Sequence, residues 1–313
     1  MQNFWQKLKK RDRPILALAP MAGITDSPFR QICRSFGADV VYSEMASAAA
    51  LTRAPAKTLT MLKNRRSERP YVIQLFGSEP RELGAAARVL ARANLAADGL
   101  DLNLGCPVPK IIKQGAGAAL FQNLKKTKAA LLAIMDNTGW PVSAKIRIQA
   151  GRVSALDFLS AVSDLPLTAV MIHGRGLARV MSGPVDAALI KEARNYFPGI
   201  ILANGGVGDW TSAKALLKAS QADGLGIARG ALGRPWLFKE LKKERKEKIV
   251  WPVVCSIIMK HARLVDKSGG SFQEFRKHLL WYAAGWPNAK KLKSRLMEVG
   301  GLKDLKIIIE NKV

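Results

Sequence analysis

The chain has 313 residues, enough for one large domain or two unequal ones, each able to bury a core. Hydrophobic residues make up 48%, which excludes a disordered chain. The longest apolar stretch, 249–259, contains Pro252 and Ser256 and falls short of the ~18–20 residues that span a bilayer. The 50 Lys and Arg against 24 Asp and Glu leave +26, a field that concentrates polyanions, nucleic acid ahead of anionic lipid.

In chain order, the start MQNFWQKLKKRDRP carries charge without an apolar h-region behind it. Short apolar runs of strand character then follow at 15–20, 39–45, 70–77, 99–105, 142–148, 168–174, 199–206 and 222–230. Helical patterns lie between them, as at 79–94, 123–139, 185–197 and 209–221, several opened by Asp, Ser or Pro and closed by Gly. Eight such units in about 230 residues predict an α/β protein built on a (β/α)8 TIM barrel rather than an open Rossmann sheet. The barrel is assigned to residues 1–240 and a small all-helical domain to 241–313. In the tail the one strand candidate is LKIIIENKV at the very end. Residues 239–313 carry 18 Lys and Arg against 8 Asp and Glu, so both parts are basic.

Active sites of such barrels sit at the C-terminal ends of the strands. Read there, the sequence offers Met21, Ala22 and Gly23, then Glu44, Gln74, Asn103 with Cys106, Lys145 with Arg147, His173 with Arg175, Asn204 with Gly205 and Gly206, and Arg229 with Gly230. Any one of these is ordinary turn chemistry, but eight converging sets predict a ligand site. The last two loops, ANGG (203–206) and GIARGALG (226–233), are glycine-rich turns leading toward helices, where backbone N–H groups and Arg229 suit a phosphate. Lys145 lies inside an otherwise apolar strand, a costly place unless it is paired or serves an anionic cofactor ring. Gln74 reads equally as a ring-edge amide or a loop cap. Cys33 and Cys255 fall in amphipathic and apolar stretches and read as core, whereas Cys106 alone ends a strand, as a nucleophile or proton donor. His173 is its partner, a phosphate ligand or a satisfied strand-end histidine. No metal-ligand spacing occurs, and the three cysteines form neither a CxxC nor a disulfide framework, which fits a reducing cytoplasm.

The segments APMAGITDSPFR (19–30), YSEM (42–45), QLFG (74–77), DLNLGCPVPK (101–110), GAGAAL (115–120), AKIR (144–147), IHGR (172–175), ANGG (203–206) and ARGALGRPW (228–236) resemble the tRNA-dihydrouridine synthases in order and spacing. FRKHLLWYAAG (275–285) looks like that family's helical RNA-binding domain, and the pattern is closest to the bacterial B-type branch. The resemblance implies an FMN enzyme that reduces the C5–C6 double bond of selected uridines in tRNA, with NADPH reloading the flavin. By the same analogy Pro20, Met21, Ala22, Gln74, Lys145 and His173 hold the flavin, and Asn204, Gly205, Gly206, Ala228 and Arg229 its phosphate end. Asn103, Arg147 and Arg175 then face the substrate and Cys106 delivers the proton. The partner implied is tRNA, with no membrane and no obligate protein partner. Three departures stand out: Gly206 where the family usually has Asp, Ala228 where it has Gly, and Gly176-Leu177 where it has Thr-Arg. The first two touch the phosphate site, where Ala228 still offers its N–H and FMN is expected to bind, at no more than reduced affinity; the third bears on substrate-side or nicotinamide-side contacts rather than on the flavin. Two competing readings are an FMN barrel acting on a free pyrimidine, which has no use for a basic helical tail, and a non-catalytic tRNA-binding relative, which has no use for Cys106, Asn103 and Lys145 together.

Overall fold

The computed structural model describes residues 3–179 and 183–310. Eight parallel strands close into a barrel: β1 Ile15–Leu18, β2 Val40–Ser47, β3 Tyr71–Phe76, β4 Gly99–Asn103, β5 Val142–Arg147, β6 Ala169–His173, β7 Ile200–Asn204 and β8 Gly224–Ile227. Each strand pairs with its sequence neighbour, and β1 closes the ring on β8 through Ile15 opposite Gly224 and Leu18 opposite Ile227. All eight predicted strands are present; seven are trimmed by up to three residues at an end where polar loop begins, whereas β2 starts one residue later than predicted and runs two residues further, to Ser47.

Two layers of core follow from strand alternation. Outward-facing residues such as Leu16, Leu18, Val41, Ile73, Leu75, Leu100 and Leu102 are buried under the helices. Among these helices, Pro80–Arg92 has proline in its first turn, Leu124–Met135 is capped by Asn123 and Trp210–Ser220 by Asp209. Inward-facing Ile15, Ala17, Val40, Tyr42, Val72, Met171 and Leu202 fill the interior. Trp5 and Leu8, from the short helix Phe4–Lys9, join that cluster together with the strand-start residues Ile15, Ala169 and Ile200. The N-terminal helix is therefore a plug in the barrel floor, so the opposite mouth is the end left for a ligand. A two-stranded hairpin, Gln149–Ala150 with Val153–Ser154, extends the loop after β5 and has no counterpart in the predicted elements.

The C-terminal region folds as four helices, Trp251–Lys267, Phe272–Tyr282, Ala289–Leu296 and Leu302–Glu310. The LKIIIENKV strand candidate is thus corrected to a helix through residue 310, its last three residues lying outside the described ones. The reason is periodicity: Leu305 and Ile308 are spaced to fall on one buried face of a helix, while Ile307 is left exposed. These helices share a core into which Ile32 and Trp236 insert from the barrel side. No helix among the described residues is long and apolar enough to cross a membrane.

Candidate active site at the barrel mouth

The site is built outward from β4, whose sequence GLDLN puts Asp101 and Asn103 on the same, inward face. Asp101 is buried, and its two carboxylate oxygens accept from Gln74 Nε2 at 2.7 Å and Ser143 Oγ at 2.6 Å. Gln74 Oε1 in turn accepts from Asn103 Nδ2 at 2.9 Å. Asn103 Oδ1 accepts from the backbone N–H groups of Gly105 and Cys106, at 3.2 and 3.0 Å. One unbroken series of hydrogen bonds therefore runs from the barrel interior to the half-buried thiol of Cys106. Burial raises the Asp101 carboxyl to about 6 despite the Ser143 and Gln74 donors.

The loop carrying Cys106 is clamped from two further directions. Arg147, at the end of β5, donates from Nε to the Gly105 carbonyl at 2.8 Å and from a terminal nitrogen to the carbonyls of Arg175 and Gly176 at 3.3 and 3.4 Å, so it staples the loops after β4 and β6. Gly117 lies behind the cysteine with φ +60°, and a Cβ there would stand 3.0 Å from both the Cβ and the carbonyl oxygen of Cys106. Only glycine fits that approach without displacing the thiol's backbone.

The other half of the mouth is cationic. Lys145 Nζ donates to Asn204 Oδ1 at 3.2 Å, and Asn204 Nδ2 donates to the Gly226 carbonyl at 2.6 Å, which ties β5 to β7 and β8. Burial, with Arg147 next, lowers the Lys145 ammonium to about 8, so it stays largely protonated at neutral pH. His173 ends β6 and has Arg175 at 3.4 Å from its Nε2. Burial and the charges of Lys145, Arg147, Arg175 and Arg229 push its imidazolium down to about 3, so the ring is neutral. Beside it, Gly205 and Gly206 take φ of +119° and +73°. A Cβ on Gly205 would sit 3.0 Å from His173 Cδ2 and 3.1 Å from Val185. Ala228 precedes the short 3-10 turn Arg229–Ala231, and Arg229 is exposed. A side-chain-free cradle next to several cations fits the phosphate of a bound cofactor. Gly206, where the family usually has Asp, keeps the left-handed backbone that Asp tolerates and glycine adopts freely.

The loop after β1 completes the rim. Pro20 and Met21 are half-buried, Ala22 and Gly23 exposed, and the Gly23 N–H donates to the Glu44 carboxylate in β2. All fifteen predicted site residues thus belong to the strand ends or the following loops at one mouth of the barrel. Sequence reading left out Asp101 and Ser143. The signal for Asp101 was present, since a strand reading GLDLN places two polar side chains inside an otherwise apolar barrel.

Residues 17–313 match the family described as Dihydrouridine synthase (Dus). A Mycobacterium tuberculosis protein named "Probable tRNA-dihydrouridine synthase" is 32% identical over 94% of this chain and 81% of its own length. "tRNA-dihydrouridine synthase B" proteins of Serratia marcescens and Pasteurella multocida are 33% and 31% identical over 85% and 86% of this chain and 82% and 83% of theirs. Among solved structures, an old yellow enzyme homologue from Zymomonas mobilis superposes with a TM-score of 0.53 at 12% identity, covering 75% of this chain and 91% of that one. Histamine dehydrogenase from Rhizobium sp. 4-9 gives 0.54 at 12% identity, covering 84% and 48%. At 12% identity these two similarities concern the fold alone. With a match that runs from β1 through the last C-terminal helix, the chain belongs to the dihydrouridine synthase family.

Proposed function

We propose that this protein is a flavin-dependent tRNA-dihydrouridine synthase, which binds FMN in the barrel mouth, takes electrons from NADPH and reduces the C5–C6 double bond of specific uridines in tRNA. The observation that carries the reading is the single hydrogen bond from the Cys106 N–H to Asn103 Oδ1, opposite the cationic wall of Lys145, Arg175 and Arg229. That contact holds an amide able to read a pyrimidine edge next to a thiol able to donate a proton. Bound FMN would supply the hydride for C6 of the ring. Every other part of the reaction falls to side chains of this chain.

Pro20, Met21, Ala22 and Gln74 border the flavin ring in this reading, and Lys145 and His173 its polar edge. Asn204, Gly205, Gly206, Ala228 and Arg229 take the phosphate end. A neutral His173 can donate one N–H and accept at the other nitrogen, which suits an uncharged ring edge better than an imidazolium among four cations. Lys145 offers a fixed positive charge where a reduced ring accumulates negative charge. Neither C5 nor C6 of a stacked uridine is reachable, so the target base has to be extruded into the mouth. There Asn103 holds it and the Cys106 thiol protonates C5. Arg147 and Arg175 shape the substrate side, and the basic C-terminal helices bind the phosphate backbone that delivers the base.

The test is reconstitution with FMN and NADPH on tRNA lacking dihydrouridine, with products mapped by mass spectrometry. Dihydrouridine at defined positions is the expected result. A protein that binds no flavin, or whose reduced flavin is reoxidised by free uridine as fast as by tRNA, overturns the reading.

A further inference from the structure

Asp101 has no role in the reaction as described above, yet it is the end point of every hydrogen bond around it. Ser143 donates to one oxygen of Asp101, Gln74 to the other, Asn103 to Gln74, and the N–H groups of Gly105 and Cys106 to Asn103. An ionised carboxylate only accepts, whereas a carboxamide presents a donor at one end and an acceptor at the other, in nearly the same shape. Facing Asp101, Gln74 has one permitted orientation, Nε2 inward. Its Oε1 then faces Asn103, which fixes that amide with Nδ2 toward Gln74 and Oδ1 toward the Cys106 loop.

We propose that Asp101 is a positioning residue: its carboxylate sets the orientation of the Gln74 and Asn103 amides in series, and thereby both the seat of the Cys106 loop and the hydrogen-bonding face shown to the base. This inference rests on the proposed reaction for its substrate but not for its geometry. With both Asn103 oxygen contacts spent on the loop, the part of its amide left for a ligand is the second Nδ2 hydrogen, which otherwise makes a weak hydrogen bond to the Met45 sulfur at 3.5 Å. Asn103 therefore reads a ring carbonyl, which uracil carries at both C2 and C4 and cytosine only at C2. Reversal of Gln74 would reverse Asn103, aim Nδ2 at two backbone N–H donors and push the loop away. Lys145 supports the ionised form of Asp101 from the neighbouring strand.

The experiment compares Asp101→Asn with Ser143→Ala in the FMN-loaded full chain. Both remove a buried hydrogen bond to the carboxylate position, but only Asp101→Asn frees Gln74 to turn, because asparagine can offer either a donor or an acceptor. Two readouts are taken: the rate at which iodoacetamide alkylates Cys106, followed by peptide mass mapping, and the rate at which tRNA reoxidises the reduced flavin. Asp101→Asn should change the alkylation rate severalfold and slow reoxidation by about 10², the cost of roughly 1 Å of misplacement at a reacting group. Ser143→Ala should leave both within about threefold of the wild type, since it leaves Gln74 facing the carboxylate. Equal effects of the two variants would mean that Asp101 merely fills its site, and an unchanged Cys106 in Asp101→Asn would also overturn the proposal. Should Asp101→Asn not fold, Gln74→Met cuts the same series one step further on and must shift Cys106 alkylation likewise; no shift there refutes the relay. The alkylation readout needs no turnover, so a wild type inactive on tRNA would sink the proposed reaction while leaving the relay to be decided by Cys106.

Discussion

The barrel mouth and the seam between the barrel and the C-terminal helices both bury ionisable groups, and they dispose of them in opposite ways. At the mouth, Asp101, Gln74, Asn103 and Lys145 are each hydrogen-bonded, and the series ends on backbone or faces open space. At the seam, His261 and His278 pack against Phe29 and Phe275 in stacked, tilted and edge-on contacts at ring separations of 4.7–6.0 Å, beside Asp26, the N-cap of the helix Ser27–Ser35. His261 Nδ1 meets the Tyr282 hydroxyl at 3.2 Å, while His261 Nε2 and both nitrogens of His278 are buried with no hydrogen-bond partner. Two of the chain's 3 histidines thus serve as aromatic packing, and the third, His173, lines the mouth. Polarity is oriented where a ligand has to be read, and suppressed where two layers of helices have to be glued.

Cys106→Ala should produce the largest effect at the mouth. Removing the positioned acid is expected to slow tRNA-dependent reoxidation of the flavin by about 10²–10⁴ while reduction by NADPH stays near the wild-type rate. Stopped-flow absorbance separates the two half-reactions. Reoxidation at the wild-type rate would show that the thiol is packing, as at the seam, and the proton would then come from His173 or water.

Gly205→Ala probes the other wall. At φ +119° an alanine is strained by about 1–3 kcal/mol, and its Cβ would press on His173 Cδ2 at 3.0 Å. FMN affinity should fall about ten- to a hundredfold, read by fluorescence titration of the apoprotein. Gly206→Asp restores the residue usual in the family and is expected to be tolerated, because Asp adopts left-handed backbone far more readily than most residues. Tight flavin binding by Gly205→Ala would remove the cradle from the phosphate site.

The seam predicts a dependence of stability on pH. Burial holds His278 down at about 3 and His261 well below its ordinary value, against about 6.5 when unfolded. The unfolded chain therefore takes up protons that the folded one refuses. The stability contributed by the neutral rings is fully present above pH 6.5 and is lost as pH falls below it toward 3. Asp26 acts in the opposite direction, since burial raises it to about 6 and its penalty is relieved as pH falls from 6 toward 4. Two histidines outweigh one carboxyl, so the net slope is a loss. His278→Phe, which keeps a ring among rings, should flatten the slope of unfolding free energy by about one proton, or 1.4 kcal/mol per pH unit, in urea titrations between pH 6 and 4. An unchanged slope would mean that His278 already exchanges protons in the folded protein.

These two regions were not equally legible in the sequence. The barrel was, because short apolar runs of strand length recur eight times and nearly all end in polar or glycine residues. The mouth was legible residue by residue for the same reason: parallel strands bring their ends together whatever the intervening helices do. Asp101 lies no deeper in β4 than Gln74 in β3 or Lys145 in β5, but its partners Gln74 and Ser143 come from two other strands, so nothing local to GLDLN shows what its carboxylate holds. The seam was not legible at all. Asp26, His261 and His278 come from three separate helices, and nothing local to any of them says that they meet. The LKIIIENKV run misled for a related reason, since β-branched residues in a row read as strand until the packing of Leu305 and Ile308 decides the period.

The smallest expected effect lies on the outer side of the C-terminal helices and decides whether they do more than close the seam. The helix Ala289–Leu296 buries Leu292 and Leu296 and leaves Lys290 and Lys291 exposed, so its outward face carries charge that packing does not need. If that face lies on tRNA phosphates, each lysine touching one releases counterions on binding, and the logarithm of affinity falls more steeply with the logarithm of salt. Replacing Lys290 and Lys291 with Glu should make that slope shallower by about one for each phosphate no longer neutralised, measured by filter binding across a salt series. Flavin content and the NADPH half-reaction should not change, because neither lysine reaches the mouth or the seam. Deleting the helices is a poorer test of the same idea, because Ile32 and Trp236 would be stripped of their cover and the helix Ser27–Ser35 of its support. An unchanged salt slope would confine these helices to the seam and move the tRNA-binding surface to the basic face of the barrel itself.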